Sequence, residues 1–303
     1  MKQYFGIDIG GTAVKLGIVD ETGRVLLKGE ASVSFDGYQT PVLTTVRRAA
    51  KEFLTANSIP VESLAGIGVS ATGQIDSRKG IVAGTCGNFP NYIGSPIKAA
   101  LEEDFGLPVT VANDANCMTL GEVWVGAAQG YTDVIGVTLG TGVGGGVIVN
   151  GKVIDGAHGA GGEIGHITVN RHETATCGCG KHGCLEQYSS ATGVVRCMKK
   201  LLDENPDTPC TLRGTDFAAK DVFDAARAGD ALAAREVDEM TDILGMALAS
   251  IASTTDPEMF MVGGGVARAG DVLFNPLREH FKTYAFSSCR ETPIVAATLG
   301  NDA

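Results

Sequence analysis

The chain has 303 residues, a length that favours two domains and a core large enough to fold without disulfides. Its 24 Lys and Arg residues against 35 Asp and Glu residues give a formal net charge of −11, which argues against a nucleic-acid or anionic-lipid partner. No apolar run is as long as a membrane span, and the N-terminal segment has no signal-peptide core before Asp8. We therefore expect a cytoplasmic protein with neither nucleic acid nor membrane as a partner.

The chain opens with an apolar strand, a glycine turn and a returning strand. The same pattern recurs 130 positions later, with the turn at the same place in each copy. Two such units at wide separation favour a duplication and two similarly built lobes, although Gly-rich hairpins also occur by coincidence. The two turns are Gly10-Gly11-Thr12 and Gly140-Thr141-Gly142.

Strands and helices alternate through the rest of the chain, which is typical of the α/β class. We predict a smaller lobe over residues 1–112, joined by about 290–303, and a larger lobe over 113–289, with a hinge and a cleft between them. The further predicted strands cover 64–69, 109–112, 259–262 and 294–297. The predicted helices cover 40–57, 95–106, 113–128, 189–202, a pair within 219–253, and 271–284.

The first glycine turn has the chemistry of a phosphate-binding loop. Gly10 and Gly11 have no side chains, so their backbone N–H groups can approach a phosphate closely. Thr12 offers a hydroxyl and Lys15 a cation a few residues later. Asp8, at the end of the preceding strand, supplies a carboxylate that can hold Mg²⁺.

Two later turns extend this interpretation. Thr141 and Gly142 lie in the second copy of the turn, and Gly264 and Gly265 lie between a predicted strand and a helix, where backbone can meet an adenosine. Neither a Walker nor a Rossmann motif is present. Either of the two duplicated turns alone is better explained as a tight hairpin, but the pair together with the third turn favours a nucleoside triphosphate such as ATP.

A cysteine cluster predicts a metal site. Cys177, Cys179 and Cys184 supply three thiolates within eight residues, and His166 completes a Cys₃His set. Four nitrogen and sulfur ligands with no open position describe structural Zn²⁺. Free thiols or a redox pair are the alternative. The rival ligands for the fourth position are His172 and His182.

Taken in order, these motifs resemble those of the ROK family, which holds bacterial sugar kinases and related repressors. The resemblance covers nearly the whole chain and is greatest to the glucokinase branch. It implies a two-lobed actin/hexokinase-like (ribonuclease H-like) fold and transfer of the γ-phosphate of Mg-ATP to the 6-hydroxyl of a hexose, glucose first. The matching motifs are Asp8-x-Gly10-Gly11-Thr12, Asn113-Asp114-Ala115-Asn116, Leu139-Gly140-Thr141-Gly142-x-Gly144-Gly145-Gly146, Gly162-Glu163-x-Gly165-His166 and Cys177-x-Cys179-Gly180-x-x-Gly183-Cys184-x-Glu186.

The resemblance also implies roles for single residues. The family's general base falls on Asp114, where a carboxylate would accept the proton of the sugar hydroxyl; plain helix capping is the other explanation for this residue. The family's zinc shapes the loop that carries sugar-binding residues, so His166 is expected to bind zinc with one ring nitrogen and the sugar with the other. The implied sugar contacts are Asn113, Asp114, Glu163, His166 and Glu186, with Gly73 and Asn88 in loops that border the same site.

Some choices within the family stay open. Kinases for N-acetylmannosamine, N-acetylglucosamine, fructose or allose are alternatives, and so is a sugar-sensing binding protein without catalysis. The repressors of the family carry an N-terminal winged helix-turn-helix, for which residues 1–7 leave no room. Family members usually continue beyond Leu299-Gly300 into a last helix, which implies a shortened chain. They are often dimers or tetramers, which implies a homo-oligomer.

Overall fold

A computed structural model describes residues 1–84 and 90–300 of the chain. Backbone contacts divide it into two compact units: Met1–Cys117 with Asp155–Gly161, and Met118–Ile154 with Gly162–Ala303. The α/β class is confirmed, because each unit is built around its own β-sheet with helices packed against it. Among the helices of the described residues, none combines the length and the apolar character that crossing a bilayer requires.

The described residues form twelve strands and eight α-helices. The strands are β1 (Gln3–Ile9), β2 (Ala13–Asp20), β3 (Val25–Ser32), β4 (Leu64–Ala71), β5 (Gln74–Asp76), β6 (Ile81–Gly84), β7 (Val109–Asn113), β8 (Val134–Leu139), β9 (Val143–Val149), β10 (Lys152–Val153), β11 (Met259–Gly263) and β12 (Ile294–Ala296). The helices are α1 (Val42–Ala56), α2 (Ile97–Phe105), α3 (Asp114–Val125), α4 (Glu186–Ser189), α5 (Ala191–Glu204), α6 (Ala219–Arg227), α7 (Ala231–Thr255) and α8 (Asp271–Tyr284).

The two main sheets have the same topology. The first has the order β3-β2-β1-β4-β7 and the second the order β10-β9-β8-β11-β12. In each, three antiparallel strands form a meander, and two further strands run parallel to the first strand of that meander. The expected duplication of the strand–turn–strand unit is therefore confirmed and extends to a whole five-stranded sheet.

The two copies differ in the length of their first turn. Gly6 pairs with Gly17 across the first turn, and Gly136 pairs with Gly146 across the second. The opening strands are thus offset by 130 positions and the returning strands by 129, rather than by a constant 130. The second turn is one residue shorter. The spacing of apolar residues does not reveal this, because Val147, Ile148 and Val149 are all apolar and match the first copy at either offset.

The division into units differs from the predicted lobes at two places. The boundary follows Cys117, inside α3, and residues 155–161 join the first unit. The C-terminal strand β12 pairs in parallel with β11, so the segment from about 290 belongs to the sheet of the second unit and not to the first lobe. The physical reason is the duplication, because β12 occupies in the second sheet the position that β7 occupies in the first.

The core of the first unit is formed by apolar residues that alternate along its strands and by the apolar face of α1. Phe5, Ile7 and Ile9 alternate on the buried face of β1, and α1 turns its own apolar residues towards that face. The rings of Phe5 and Phe53 stack with centroids 5.7 Å apart. The core of the second unit is larger, because α5, α6, α7 and α8 all contribute buried residues to it.

An ion-pair cluster joins α1 to α2 in the first unit. Arg47 Nε and Nη2 donate to the two carboxylate oxygens of Asp104 at 2.6 and 2.7 Å, and Lys51 Nζ donates to Oδ1 at 2.6 Å. The Asp104 side chain is only 5% exposed. Arg47 first, and then Lys51, lower the pKa of Asp104 from 3.8 to about 2. The carboxylate therefore stabilises the fold fully above pH 4, and this contribution is lost as the pH falls through 2.

We expect Asp104→Asn to lower the free energy of unfolding by about 1–2 kcal/mol at pH 7. The loss is no larger because Arg47 and Lys51 are partly exposed, and solvent screens their interaction with Asp104. Urea denaturation at pH 7 and pH 3 measures the free energy of unfolding of both proteins. At pH 3 the difference between the variant and the wild type should be roughly half its value at pH 7. Glu103→Gln is the matched control, since its carboxylate contacts the same Arg47 at 3.1 Å but is 74% exposed. An equal loss in both variants, or a loss independent of pH, would contradict this assignment.

Candidate active site

In the first unit, the polar ends of three parallel strands meet at one edge of the sheet. The register pairs Asp8 of β1 with Ser70 of β4, and Ala71 of β4 with Asn113 of β7. Ser70 Oγ donates to Asp8 Oδ1 at 2.7 Å, and Lys15 Nζ lies 3.5 Å from Asp8 Oδ2. The carboxyl ends of parallel strands are where α/β sheets bind ligands. This edge is therefore the candidate site of the first unit.

Asn113 and Asp114 stand where β7 gives way to α3. Asn113 Nδ2 donates to the carbonyl of Gly73 at 2.8 Å, while its Oδ1 accepts from the backbone N–H of Ala115 at 2.9 Å. Asp114 is the first residue of α3, its side chain is exposed, and its Oδ1 also accepts from that N–H at 2.8 Å. The amide of Asn113 is thus fixed from both sides, and the adjacent carboxylate is oriented by the start of the helix.

The buried Tyr92 and the half-buried Cys117 show that Asp8 and Asp114 share one neighbourhood. Burial, and then the charges of Asp114 and Asp8, raise the pKa of Tyr92. Burial raises the pKa of the Cys117 thiol to about 12, with Asp114 and, more weakly, Asp8 and Asp155 adding to the shift. This end of the first unit is therefore acidic, which suits both a divalent cation and the acceptance of a proton.

Hydrogen bonds to neighbouring backbone groups and to a tyrosine hydroxyl hold the first glycine turn in place. Gly10 N donates to the carbonyl of Ala13 at 3.0 Å. The carbonyl oxygen of Gly11 accepts from the Tyr38 hydroxyl at 2.5 Å, and that of Thr12 accepts from the backbone N–H of Val33 at 2.9 Å. The Thr12 side chain is exposed. These hydrogen bonds hold the turn in place, with the Thr12 side chain facing solvent.

In the second unit, the two other predicted glycine turns lie against each other. Thr138 of β8 pairs with Gly263 of β11, so the strands end side by side. Gly264 has a φ of +90°, and a Cβ at this position would overlap the backbone of Leu139, including its nitrogen at 2.8 Å. Only glycine allows this close approach. The turn after β11 therefore contacts the end of the strand that leads into Gly140.

The close approach of Gly264 to Leu139 predicts that alanine has different effects on stability at two neighbouring glycines. Gly264→Ala should lower the melting temperature by several degrees, because both the positive φ and the Leu139 backbone resist a side chain. Gly265→Ala is the control, since a Cβ there meets nothing within 4 Å and the backbone is helical. Thermal unfolding followed by circular dichroism measures both. Similar melting temperatures for the two variants would show that the close approach is not formed.

The side chain of Glu186 lies against the second copy of the turn. Its Oε2 accepts from Val143 N at 3.0 Å and occupies the space that a Cβ on Gly142 would take. The start of α5 closes over the same turn, since Ala191 N donates to the carbonyl of Gly140 at 2.8 Å. The carbonyl of Thr141 accepts from Thr192 Oγ1, also at 2.8 Å. A predicted sugar ligand and a predicted nucleotide turn therefore touch in this unit.

The four predicted metal ligands come together in the second unit. The ligand atoms of His166, Cys177, Cys179 and Cys184 all lie within 4.8 Å of one another. Cys179 Sγ is 3.6 Å from Cys184 Sγ, and Cys177 Sγ is 3.8 Å from His166 Nδ1. A tetrahedral Zn²⁺ with Zn–S bonds of about 2.3 Å requires S···S separations of roughly 3.8 Å and slightly shorter S···N separations. The donor set and its spacing therefore fit zinc.

The rival histidines have other contacts. His182 Nδ1 lies 3.1 Å from the carbonyl of Ala175, and His172 Nε2 accepts from Arg171 Nε at 3.0 Å. Within residues 1–84 and 90–300, His166 is the histidine that clusters with the three cysteines, and neither rival does. The structure thus favours His166 as the fourth ligand.

The predicted sugar ligands of this unit surround the cysteine cluster. His166 turns Nδ1 towards Cys177, while its Nε2 lies 3.9 Å from Glu163 Oε2. Glu186 Oε1 lies 3.8 Å from Cys177 Sγ. A metal on the cluster would fix His166 by one ring nitrogen and leave the other beside Glu163, the arrangement expected of a histidine with two partners.

Three polar residues of the first unit were not predicted from the sequence: Ser70, Ser77 and Asp155. Ser70 orients Asp8, and Asp155 accepts from Ser77 Oγ at 2.6 Å and from Asn116 Nδ2 at 3.4 Å. The polar residues that follow the buried core of β4 could have indicated Ser70, because such strand ends often carry ligands. Nothing near Asp155 in the sequence indicates that residues 155–161 return to the first unit. The predicted residue Asn88 lies outside the described residues.

Comparison with known proteins decides the family. The model of the ROK family matches residues 4–303. The chain belongs to the ROK family. A glucokinase from Halalkalibacterium halodurans is 39% identical over 306 residues, covering 100% of this chain and 92% of that protein.

Two solved ROK structures are also similar over nearly the full chain. The first is a ROK family glucokinase from Streptomyces griseus in complex with glucose and AMPPNP, with 34% identity, 98% of this chain and 95% of that chain covered, and a TM-score of 0.76. The second is a ROK hexokinase from Thermus thermophilus, with 31% identity, coverage of 99% and 94%, and a TM-score of 0.82. The actin/hexokinase-like fold expected from the motifs is thereby confirmed.

Proposed function

We propose that this ROK protein is an ATP-dependent glucokinase that transfers the γ-phosphoryl group of Mg-ATP to the 6-hydroxyl of glucose, with Asp114 as general base. The observation that carries the proposal is the oriented carboxylate of Asp114 at the end of β7. It occurs in a chain that is 39% identical, over its whole length, to a glucokinase.

The reaction needs one proton acceptor and a positioned phosphoryl group. The Asp114 carboxylate accepts the proton of the 6-hydroxyl as that oxygen bonds to the γ-phosphorus. The bond from the γ-phosphorus to the bridging oxygen breaks, and ADP leaves with the electron pair. Asn113 supports this step, because its hydrogen bonds to Gly73 and Ala115 fix the junction from which Asp114 projects.

Glucose is bound by acceptors that match its hydroxyl groups. Carboxylates and an imidazole accept several hydroxyl protons, and a site built this way rejects a sugar that lacks the hydroxyl in question. Glu163 supplies a carboxylate beside His166, and Glu186 supplies one beside Cys177. The proposed sugar ligands are Asn113, Asp114, Glu163, His166 and Glu186, with Gly73 and Asn88 at the border.

ATP is bound by the glycine turns. Asp8 is the carboxylate that would hold Mg²⁺, and when bound this ion neutralises charge on the β- and γ-phosphates. Lys15, 3.5 Å from Asp8, adds a cation close to the first turn. The proposed ATP ligands are Asp8, Gly10, Gly11, Thr12, Lys15, Thr141, Gly142, Gly264 and Gly265.

The cysteine cluster is proposed to hold a structural Zn²⁺ through His166, Cys177, Cys179 and Cys184. Four ligands close the coordination sphere, so this ion fixes the shape of the chain around it. Holding His166 Nδ1 leaves Nε2 directed at Glu163, so the chain itself presents the imidazole to the sugar. We further propose that the protein is cytoplasmic and forms a homo-oligomer, and light scattering on the purified protein tests the oligomeric state.

A substrate panel tests the proposed function. ADP release is measured at saturating Mg-ATP with glucose, N-acetylglucosamine, N-acetylmannosamine, fructose and allose. Glucose should give the highest kcat/KM, by about tenfold or more, because the polar ligands are matched to its hydroxyls. A higher kcat/KM for an N-acylhexosamine would overturn the substrate assignment. Glucose binding by calorimetry without turnover on any sugar would instead support a sugar-sensing protein.

A further inference from the structure

A cavity of about 250 Å³ lies in the second unit between α5 and α7. None of the residues assigned to glucose, ATP or zinc lines it. Its walls come from α5, from α7, and from the segment 170–174 together with Tyr188. The cavity therefore has no role in the proposed reaction, and its chemistry can be considered separately.

One wall of this cavity holds a buried carboxyl group. Glu236 of α7 is 2% exposed. Among the described residues its carboxyl forms no hydrogen bond or ion pair, and the charge of Arg196 is the one that favours its ionised form. Burial, and then the charge of Glu239, raise the pKa of Glu236 to about 8. A buried carboxyl without a partner destabilises a fold, so it calls for an explanation.

The cations around Glu236 already have partners. Each of the three cations on the lining forms an ion pair with a different glutamate, so these charges neutralise one another. Glu236 is the lining glutamate that belongs to no such pair. The pairs are Arg196–Glu173 at 3.1 Å, Arg235–Glu239 at 2.8 Å and Lys200–Glu204 at 3.7 Å. The other titratable groups on the lining are Cys197, Tyr188 and His172. Burial and then the charge of Glu236 raise the pKa of Cys197 to about 11, and burial and then the hydrogen bond to Glu173 raise the pKa of Tyr188.

The wall opposite α7 is fixed by a hydrogen-bond network. Glu173 accepts from the Tyr188 hydroxyl at 2.7 Å and from Ala175 N at 2.9 Å. Arg196 donates to the carbonyl of Gln187 at 2.9 Å and lies over the ring of Tyr188, 5.3 Å from its centroid. These contacts pre-organise the cavity, which lowers the cost of binding a ligand.

The lining also has an apolar part. Leu201, Met240 and Ile243 face the same space as the Glu236 carboxyl. A ligand that satisfies both parts needs a hydrogen-bond donor or positive charge at one end and a short alkyl group at the other. An anion is disfavoured, because it would approach Glu236 while each neighbouring cation is already neutralised. The net charge of −11 also attracts cations to the chain.

We propose that this cavity binds a small primary amine, with its ammonium group against the Glu236 carboxylate and its alkyl part against Leu201, Met240 and Ile243. The proposal is independent of the kinase function, since it uses none of that site's residues. Binding ionises Glu236, so at pH 7 the proton that the carboxyl carried is released as the ammonium docks.

Calorimetry with n-butylammonium chloride tests the proposal on the full chain, at ionic strength held constant with NaCl. We expect saturable binding and, from titrations in two buffers of different ionisation enthalpy, release of about one proton per amine at pH 7. Neutral n-butanol should bind at least tenfold more weakly, because it cannot form the charge-assisted hydrogen bond that the ammonium group forms with Glu236.

Glu236→Gln is the decisive variant, because it matches the protonated carboxyl in size and is expected to fold. It should weaken amine binding about tenfold or more and abolish the proton release. Glu279→Gln is the matched control, since Glu279 is an exposed acid of α8 that does not line the cavity, and this variant should keep both. Absence of saturable binding at tens of millimolar amine, equal binding by Glu236→Gln, or binding of the wild type without proton release would each overturn the proposal.

Discussion

Replacing Asp114 by Asn should lower kcat for glucose phosphorylation by about 10²–10⁴-fold, because the amide cannot accept the proton of the 6-hydroxyl. The substitution keeps the shape of the side chain and its hydrogen bond to Ala115 N. Glucose affinity should therefore change by only a few fold. Steady-state ADP release measures kcat, and calorimetry measures glucose binding.

A second acidic residue provides the control for Asp114. Asp203 is an exposed acid in the last turn of α5, so Asp203→Asn removes the same charge without affecting the site. We expect its kcat to equal that of the wild type. If Asp114→Asn keeps more than about a tenth of the wild-type kcat, the general-base role is wrong.

Loss of the cysteine cluster should affect the sugar more than the nucleotide. Cys179→Ser removes one of four zinc ligands, and we expect metal content near zero and a KM for glucose raised by about 10- to 100-fold. The KM for ATP should change less, because five of its nine proposed ligands, Asp8, Gly10, Gly11, Thr12 and Lys15, belong to the other unit. A lower melting temperature should accompany the loss, because metal binding contributes to folding.

Metal analysis and paired titrations check this expectation. The wild type should contain about one zinc per chain, and chelation should reproduce the Cys179→Ser result. Cys210→Ser is the matched control, since Cys210 is half-buried and lies outside the cluster. Equal losses of glucose and ATP affinity in Cys179→Ser would show that the cluster does not act through His166 and its neighbours.

Much of the fold could be predicted because local signals agree with it. The apolar spacing in α1 and the glycine that ends α2 both indicate elements that the structure contains; Gly106 takes the left-handed conformation expected after a helix. The predicted helix over 189–202 was less accurate. Ser190 interrupts it, because its hydroxyl accepts from Gly193 N and starts α5 after the short α4.

The pairing of strands and the assignment of segments to units were harder to predict. The segment from about 290 was placed with the wrong sheet, since β12 is only three residues long and its apolar pattern suits either sheet. The return of residues 155–161 to the first unit depends on Asp155 meeting Ser77 and Asn116. Such contacts join residues that are far apart in sequence, and no local spacing encodes them.

The candidate site was predictable where its chemistry uses rare residues. Three cysteines within eight positions have few explanations, so the metal cluster could be inferred and the structure brings its four ligands together. Ser70 and Glu236 were missed, because serine and glutamate are common at surfaces. Their importance comes from the packing around them, which places one beside Asp8 and buries the other.

The most direct test of the proposed reaction is to identify its product by phosphorus NMR after incubation with glucose and Mg-ATP. The proposed reaction yields one new phosphomonoester, glucose 6-phosphate, in equal amount to ADP, and no product from 6-deoxyglucose. Phosphate on another hydroxyl would contradict it, as would release of inorganic phosphate alone or an unchanged spectrum.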